Sequence, residues 1–179
     1  LEITRWARRY DEQTGKFIIN IHYKTKTDTT NRTIAVAEAF GLGIDDSQRH
    51  VLYDNAELKI GAQDIVYITG ESGSGKSVLL KALEKDIKQN PQLGGAINIT
   101  DIQPDPDKPI IETVGKTVAE SLERLSRVGL NDAFLFVRRY SQLSDGQRYR
   151  YRIAKMIESG AQFWIMDEFA ATLDRDTAK

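Results

Sequence analysis

The spacing of apolar positions changes several times along the chain, and each change predicts an element. Over residues 15–24, GKFIINIHYK, apolar and polar side chains partly alternate behind a turn signal at Thr14 and Gly15, the period of a strand with one buried face. The polar stretch KTKTDTTNR reads as a turn or exposed loop, and TIAVAEAF and HVLYDNAELKI as further strand pieces. Gly61 punctuates the approach to residues 64–69, DIVYIT, whose β-branched and aromatic residues predict a short buried strand. From 77 to 87 the period lengthens: Leu79, Leu80, Leu83 and Ile87 recur at helical spacing until Pro91 and the Gly94–Gly95 pair stop it. GAINITDI predicts another strand, and PDPDKP is too rich in proline for a helix interior. Val114, Val118, Leu122 and Leu125 then fall on one helical face that ends near Gly129. Along DGQRYRYRIAKMIES, Tyr149, Ile153 and Ile157 recur at steps of four, and FWIM follows as a short central strand.

Strands alternating with helices predict an α/β core with a largely parallel sheet. The chain divides on this reading into an N-terminal β-rich region, 1–62, a core with a glycine-rich loop, 63–111, a helical subdomain, 112–160, and a closing strand with acidic residues, 161–179. Its 179 residues are enough for one such domain. Charged residues at 28% and hydrophobic ones at 40% fit a globular chain and not a disordered one. A formal charge of -1 gives no general field for nucleic acid. The arginines of RRYSQLSDGQRYRYR alternate with aromatics, yet Arg148, Arg150 and Arg152 cannot share one helix face, so nucleic-acid contact is the lesser reading of them. No run reaches the roughly 18 apolar residues of a membrane helix. A cytoplasmic protein without direct membrane insertion is expected. There is no cysteine, which excludes thiolate chemistry and Cys-based metal sites, and His22 and His50 are read as ordinary surface or packing residues. The start without methionine and the close at LDRDTAK suggest a fragment.

The chemistry concentrates at GESGSGKS, residues 70–77, which matches GxxxxGK[ST] between an apolar strand pattern and an apolar helix pattern. In this arrangement Gly70, Glu71, Ser72, Gly73, Ser74 and Gly75 form a loop whose N–H groups converge on an anion. Lys76, Ser77 and Val78 open a helix whose unpaired donors and positive end add to the cradle. Lys76 is expected to reach the β and γ phosphates and Ser77 to offer its hydroxyl to Mg2+. Asp167 and Glu168 follow the FWIM strand, at the edge where ligands bind in an α/β sheet. Asp167 is the candidate Mg2+ residue and Glu168 the candidate that orients or deprotonates the attacking water. The fold class is therefore α/β: a P-loop NTPase with a mainly parallel core sheet, an N-terminal antiparallel β region and a short helical subdomain.

Upstream of the acidic pair the chain reads LSDGQ, Leu143 to Gln147, and downstream ATLD, Ala171 to Asp174. With Arg150, Ile153, Ala154 and Lys155 after the first of these, the region from about Val51 onward resembles the ATP-binding cassette (ABC) ATPases, as a divergent, soluble, non-transporter member. The resemblance implies ATP and Mg2+ as cofactors and a head-to-tail dimer, with itself or a related ABC domain. Ser144, Gly146 and Gln147 of one copy would then face the triphosphate held by the other, with Asp174 in the D-loop. It also implies a Q-loop glutamine touching the metal, for which Gln103 is the candidate and an ordinary loop glutamine the alternative. An aromatic stacked on adenine would be Phe40, with Tyr53 and Trp6 as other choices and a core phenylalanine as the competing reading. Three departures stand out. Asp145 replaces the first signature glycine and repels a triphosphate unless a base such as Arg148 pairs with it; Phe169 replaces the usual proline; and the family's switch histidine is absent. Hydrolysis driving motion in a partner or fused domain is the leading expectation. A nucleotide-binding regulatory or scaffold domain and a membrane transporter subunit are the alternatives, and the fragment alone is expected to be weakly active.

Overall fold

The computed structural model describes residues 2–25, 28–41, 48–61, 63–167 and 169, without the side chains of 2–9, 24–25 and 48–50. The chain divides into two compact units, with the boundary between Asp86 and Ile87.

In the first unit, β1 (Glu2–Asp11), β2 (Lys16–Thr25) and β3 (Gln48–Lys59) form an antiparallel sheet in the order β1-β2-β3. Asp11 makes the first turn: its carboxylate accepts from Gln13 N (3.1 Å) and Thr14 Oγ1 (2.8 Å), and its carbonyl accepts from Gly15 N (2.8 Å). Gly15 adopts φ +65°, the left-handed conformation that such a turn needs. The alternation in β2 puts Phe17, Ile19, Ile21 and Tyr23 on the buried face, and the Phe17 ring packs 4.9 Å from that of Tyr10. β1 carries no clean alternation in its sequence and was not anticipated.

TIAVAEAF, expected as a strand, is helical: α1 runs from Asn31 to Ala39. Thr30 and Thr33 cap it reciprocally, Thr33 N donating to Thr30 Oγ1 (3.2 Å) and Thr30 N to Thr33 Oγ1 (2.8 Å). Two satisfied donors and three alanines outweigh the strand preference of Ile34 and Val36. Residues 64–69, also expected as a buried strand, lie outside any helix or strand, with Ile65 98% exposed. A lone extended segment has no ladder to join, and among the described residues the three strands of this unit pair with one another. α2 (Lys76–Gln89) follows, burying Leu79, Ala82, Leu83 and Ile87 as its spacing predicts.

The second unit contains β4 (Ala96–Asn98), α3 (Val118–Arg127), α4 (Ala133–Phe136), α5 (Asp145–Ser159) and β5 (Phe163–Ile165). β4 and β5 pair in parallel, Ala96 opposite Phe163 and Asn98 opposite Ile165. Tyr151 and Ala154 of α5 join a core of Ile110, Val114, Leu125, Leu130, Leu135 and Leu143. Met156 joins a second cluster with Ile99 and Ile102. The predicted face holds at Val114, before the helix, and at Leu125, both buried, but not at Val118 or Leu122, which are 68% and 37% exposed; Ser121 is the other buried position of α3. Ser121 fits because Gly115 lies against it: a β-carbon on Gly115 would sit 2.9 Å from Ser121 N. The Ser121 hydroxyl donates to the carbonyls of Val114 and Thr117, so burying it leaves no polar group unpaired.

Candidate functional site

The glycine-rich loop belongs to the first unit and stands between the extended segment 64–69 and α2. Gly73 and Gly75 hold φ +81° and +88°, conformations that cost an L-residue strain. Ser74 N donates to Glu71 O (3.2 Å), tightening the turn. Leu79 N donates to Gly75 O (2.9 Å), so the first turn of α2 grows directly out of the loop. The leading N–H groups of a helix have no intrahelical acceptor, and at α2 they belong to Lys76, Ser77 and Val78. Lys76 folds back across the loop, its ammonium donating to the carbonyls of Gly70 (2.9 Å) and Glu71 (2.7 Å). The ammonium is thus held by two neutral backbone oxygens close to the start of α2.

LSDGQ is in the second unit. Leu143 is buried, and Ser144 is the N-cap of α5. A capping box closes over it: Gln147 N donates to Ser144 Oγ (3.3 Å) and Ser144 N to Gln147 Oε1 (3.0 Å). Gly146 lies in the first turn of α5. Asp145, which stands in place of the first signature glycine, meets a base only loosely. Arg148 Nη1 lies 3.4 Å from Asp145 Oδ1, while Nη2 donates to Ser141 O (2.7 Å) and the guanidinium covers the Tyr140 ring at 5.8 Å. Arg148 therefore clamps the residues that lead into the cap. The neighbouring arginines also make contacts within the unit: Arg150 donates to Gly129 O (2.9 Å), and Arg152 lies 5.9 Å from the Tyr140 ring.

Asp167 is exposed beyond the end of β5. Met166, just before it, accepts a hydrogen bond from the Tyr149 hydroxyl (3.7 Å), which ties the strand end to α5. Phe169 is exposed and meets the Tyr149 ring edge-on, centroids 6.3 Å apart. Glu168 and Asp174 lie outside the described residues. Gln103 is exposed and directly follows the buried Ile102. Phe40 caps α1 with 76% of its surface exposed, which is not a core position. Of its alternatives, Tyr53 is half-buried in β3, burial pushing its phenol above the usual range, and the Trp6 side chain is outside the described set. Among the described residues no group of three or more His, Cys, Asp or Glu side chains converges, and no helix is long and apolar enough to cross a membrane.

One group went unread in the sequence. Glu158, near the end of α5, accepts from Gly115 N (2.7 Å) and Arg124 Nη1 (3.0 Å) and pairs closely with Lys155, which also donates to Thr113 O (2.7 Å). Partial burial pushes its carboxyl up. The hydrogen bonds from Lys155 and Gly115 and the charges of Lys155 and Arg124 outweigh that and hold it below the usual carboxylate range.

The family model described as ABC transporter matches residues 53–118. The cytochrome c biogenesis ATP-binding export protein CcmA of Novosphingobium aromaticivorans is 30% identical over 138 residues, covering 69% of this chain and 68% of that protein. The chain belongs to the ABC ATPase family. The CcmA protein of Gluconobacter oxydans is 31% identical over 138 residues, and the L-arabinose transport ATP-binding protein AraG of Geobacillus stearothermophilus 26% over 161 residues; they cover 69% and 70% of this chain. The chain spans 62% and 31% of the lengths of these two relatives. The stretch matched by the ABC model takes in the glycine-rich loop and α2 and ends at the first residue of α3, so the LSDGQ segment lies beyond it.

Proposed function

We propose that this ABC domain binds ATP and hydrolyses it, and that binding draws two ABC domains together head to tail. The observation that carries this reading is Lys76: its ammonium lies across the loop on the Gly70 and Glu71 carbonyls, at the positive end of α2. A triphosphate would exchange those neutral acceptors for anionic ones, which form hydrogen bonds roughly twice as strong. At Gly73 the loop is open, with no atom within 4 Å of where a β-carbon would stand, which leaves room for close approach. Ser77 and Asp167 offer a hydroxyl and a carboxylate, hard oxygen donors that suit Mg2+, and Gln103 is a further candidate. When bound, the ion would neutralise charge on the phosphates. Glu168 would orient water or accept its proton, and the loop amides with Lys76 would stabilise the charge of phosphoryl transfer.

In the dimer Ser144 and Gly146 would face the γ phosphate across the interface, and the cap geometry supports that role. Ser144 Oγ accepts from Gln147 N, so its own proton is available to a phosphate oxygen. Phe40 is the proposed adenine-stacking residue and Asp174 the D-loop residue. The relatives' names include export and transport, so a transporter subunit is one setting for the cycle; a fused domain or another protein partner in the cytoplasm is the other.

A regulatory domain with little turnover is the second reading, and Asp145 favours it. Its carboxylate is 80% exposed and only loosely tied to Arg148, which leaves negative charge where a triphosphate would arrive. Single-turnover hydrolysis of Mg2+-ATP separates the two. Wild type should hydrolyse and Glu168→Gln should bind but stall, with Lys76→Ala losing affinity. Equal rates in wild type and Glu168→Gln would remove the catalytic role of Glu168, binding without hydrolysis in wild type would leave only the regulatory reading, and no ATP affinity in wild type would remove both.

A further inference from the structure

We infer that Leu52, delivered by a β-bulge in β3, is a positioning residue for the phosphate loop, its side chain packed against the α-carbon of Gly75 so that the loop is held in its binding shape. The inference rests on the proposed nucleotide role of that loop. β2 and β3 pair regularly near their ends, but Ile21 faces Tyr53 and His22 faces Val51. β3 therefore has one residue more than β2 at this point, and Leu52 is the extra one. Such a bulge bends the strand and re-aims the side chain it releases from the ladder.

Leu52 is aimed at the loop. A β-carbon on Gly75 would lie 2.4 Å from Leu52 Cδ2, 2.9 Å from Cγ and 3.0 Å from Cδ1. The isobutyl group thus fills the space that a side chain on Gly75 would need, and Gly75 holds φ +88° against it. A second irregularity fixes the phase. Between the pairs Ile19–Ala56 and Ile21–Tyr53, Asn20 stands opposite both Asp54 and Asn55. Asn55 has φ +48°, its N–H donates to Asn20 Oδ1 (2.6 Å), and Asn20 Nδ2 donates to Asn55 Oδ1 (3.0 Å). With this asparagine pair locking the register, Leu52 cannot slide off Gly75 without breaking it.

Among the described residues the segment leading into the loop joins no sheet, and it exposes Ile65 and Tyr67. Held from one side by Leu52 and from within by Lys76, it keeps its amides arranged before ligand arrives, and that preorganisation should appear as affinity. The contact lies behind the glycine, so no change in the chemical step is expected beyond what the loop transmits.

The test is titration of the full chain with Mg2+ and a fluorescent ATP analogue, well below the thermal midpoint of each variant. Leu52→Ala should bind about tenfold more weakly, equivalent to about 1.4 kcal/mol. Leu52→Met keeps the volume and should recover wild-type affinity to within about twofold. Should the alanine variant fail to fold, Leu52→Val retains strand preference and should lose about threefold, between the other two. Melting curves run alongside: a purely structural Leu52 would lower the midpoint while leaving affinity in the folded protein unchanged, and that result overturns the inference. If wild type binds the analogue and folded alanine or valine variants bind it equally well, the inference is likewise wrong. Absence of binding by wild type refutes the nucleotide reading itself, and the role of Leu52 falls with it.

Discussion

Replacing Glu158 with glutamine should destabilise the second unit by about 2 kcal/mol, midway between an exposed and a fully buried ion pair. The size follows from the surroundings. The side chains of Glu158, Arg124 and Lys155 are 23%, 28% and 30% exposed, so solvent screens them only in part. Glutamine can still accept from Gly115 N, but it brings no charge to offset two half-buried cations, and its amide end would present a donor to one of them. The three partners join α3, α5 and the turn at 113–115, so the loss is felt by the packing of Ser121 and Val114 as well. Urea unfolding followed by Trp164 fluorescence reports on this unit once the other tryptophan is removed, in a Trp6→Phe background. A loss below about 0.5 kcal/mol would mean that the cluster behaves as an ordinary surface pair, and would refute the reasoning.

The same carboxylate sets a pH dependence with a definite sign. Its native value lies below the ordinary one, which for glutamate is about 4.3 in an unfolded chain. The stabilisation is therefore complete above the unfolded value and disappears as pH falls through the native value. Wild type and Glu158→Gln should differ most near neutrality and converge in acid. A gap between them that stays constant from neutral pH into acid would contradict the assignment.

Two further substitutions test neighbouring claims. Ser144→Ala removes the capping box and should cost about 1 kcal/mol in urea unfolding; Ser144→Asp should restore the cap yet still fail to dimerise with Mg2+-ATP in sedimentation, because its carboxylate faces the phosphate. Tyr151→Phe should cost about 1 kcal/mol by removing the hydroxyl 2.8 Å from Thr113 Oγ1 while leaving the buried ring in place.

What the sequence made legible depends on how local the cause was. α2 and α5 could be read in extent because the signals for them lie within or beside each helix, but in α5 the buried positions are Tyr151, Ala154 and Met156 and not the spaced Tyr149, Ile153 and Ile157. α1 departs from its pattern for a related reason: Ile34 and Val36 alternate as in a strand, but the Thr30–Thr33 pair settles the matter in favour of a helix. Residues 64–69 fail the opposite test. Their composition suits a buried strand, but a strand exists only with a partner, and composition says nothing of whether one is available.

The site divides along the same line. GESGSGKS announces itself because loop shape and ligand chemistry are written into the same residues: glycines for positive φ, a lysine to span the ring, a helix immediately after. Leu52 and Glu158 act on neighbours far along the chain, and nothing adjacent to either marks it. Leu52 matters through the phase of a bulge that an asparagine pair some distance from it in sequence fixes, and Glu158 through the meeting of two helices with the Gly115 turn. A motif can name the atoms that would touch phosphate, but the rigidity with which those atoms are held is decided by packing, and packing is where a sequence of this length is least transparent. Two ABC domains with the same GxxxxGKS could thus differ tenfold in affinity through the residue behind the last glycine alone, which is the difference the leucine series is built to measure.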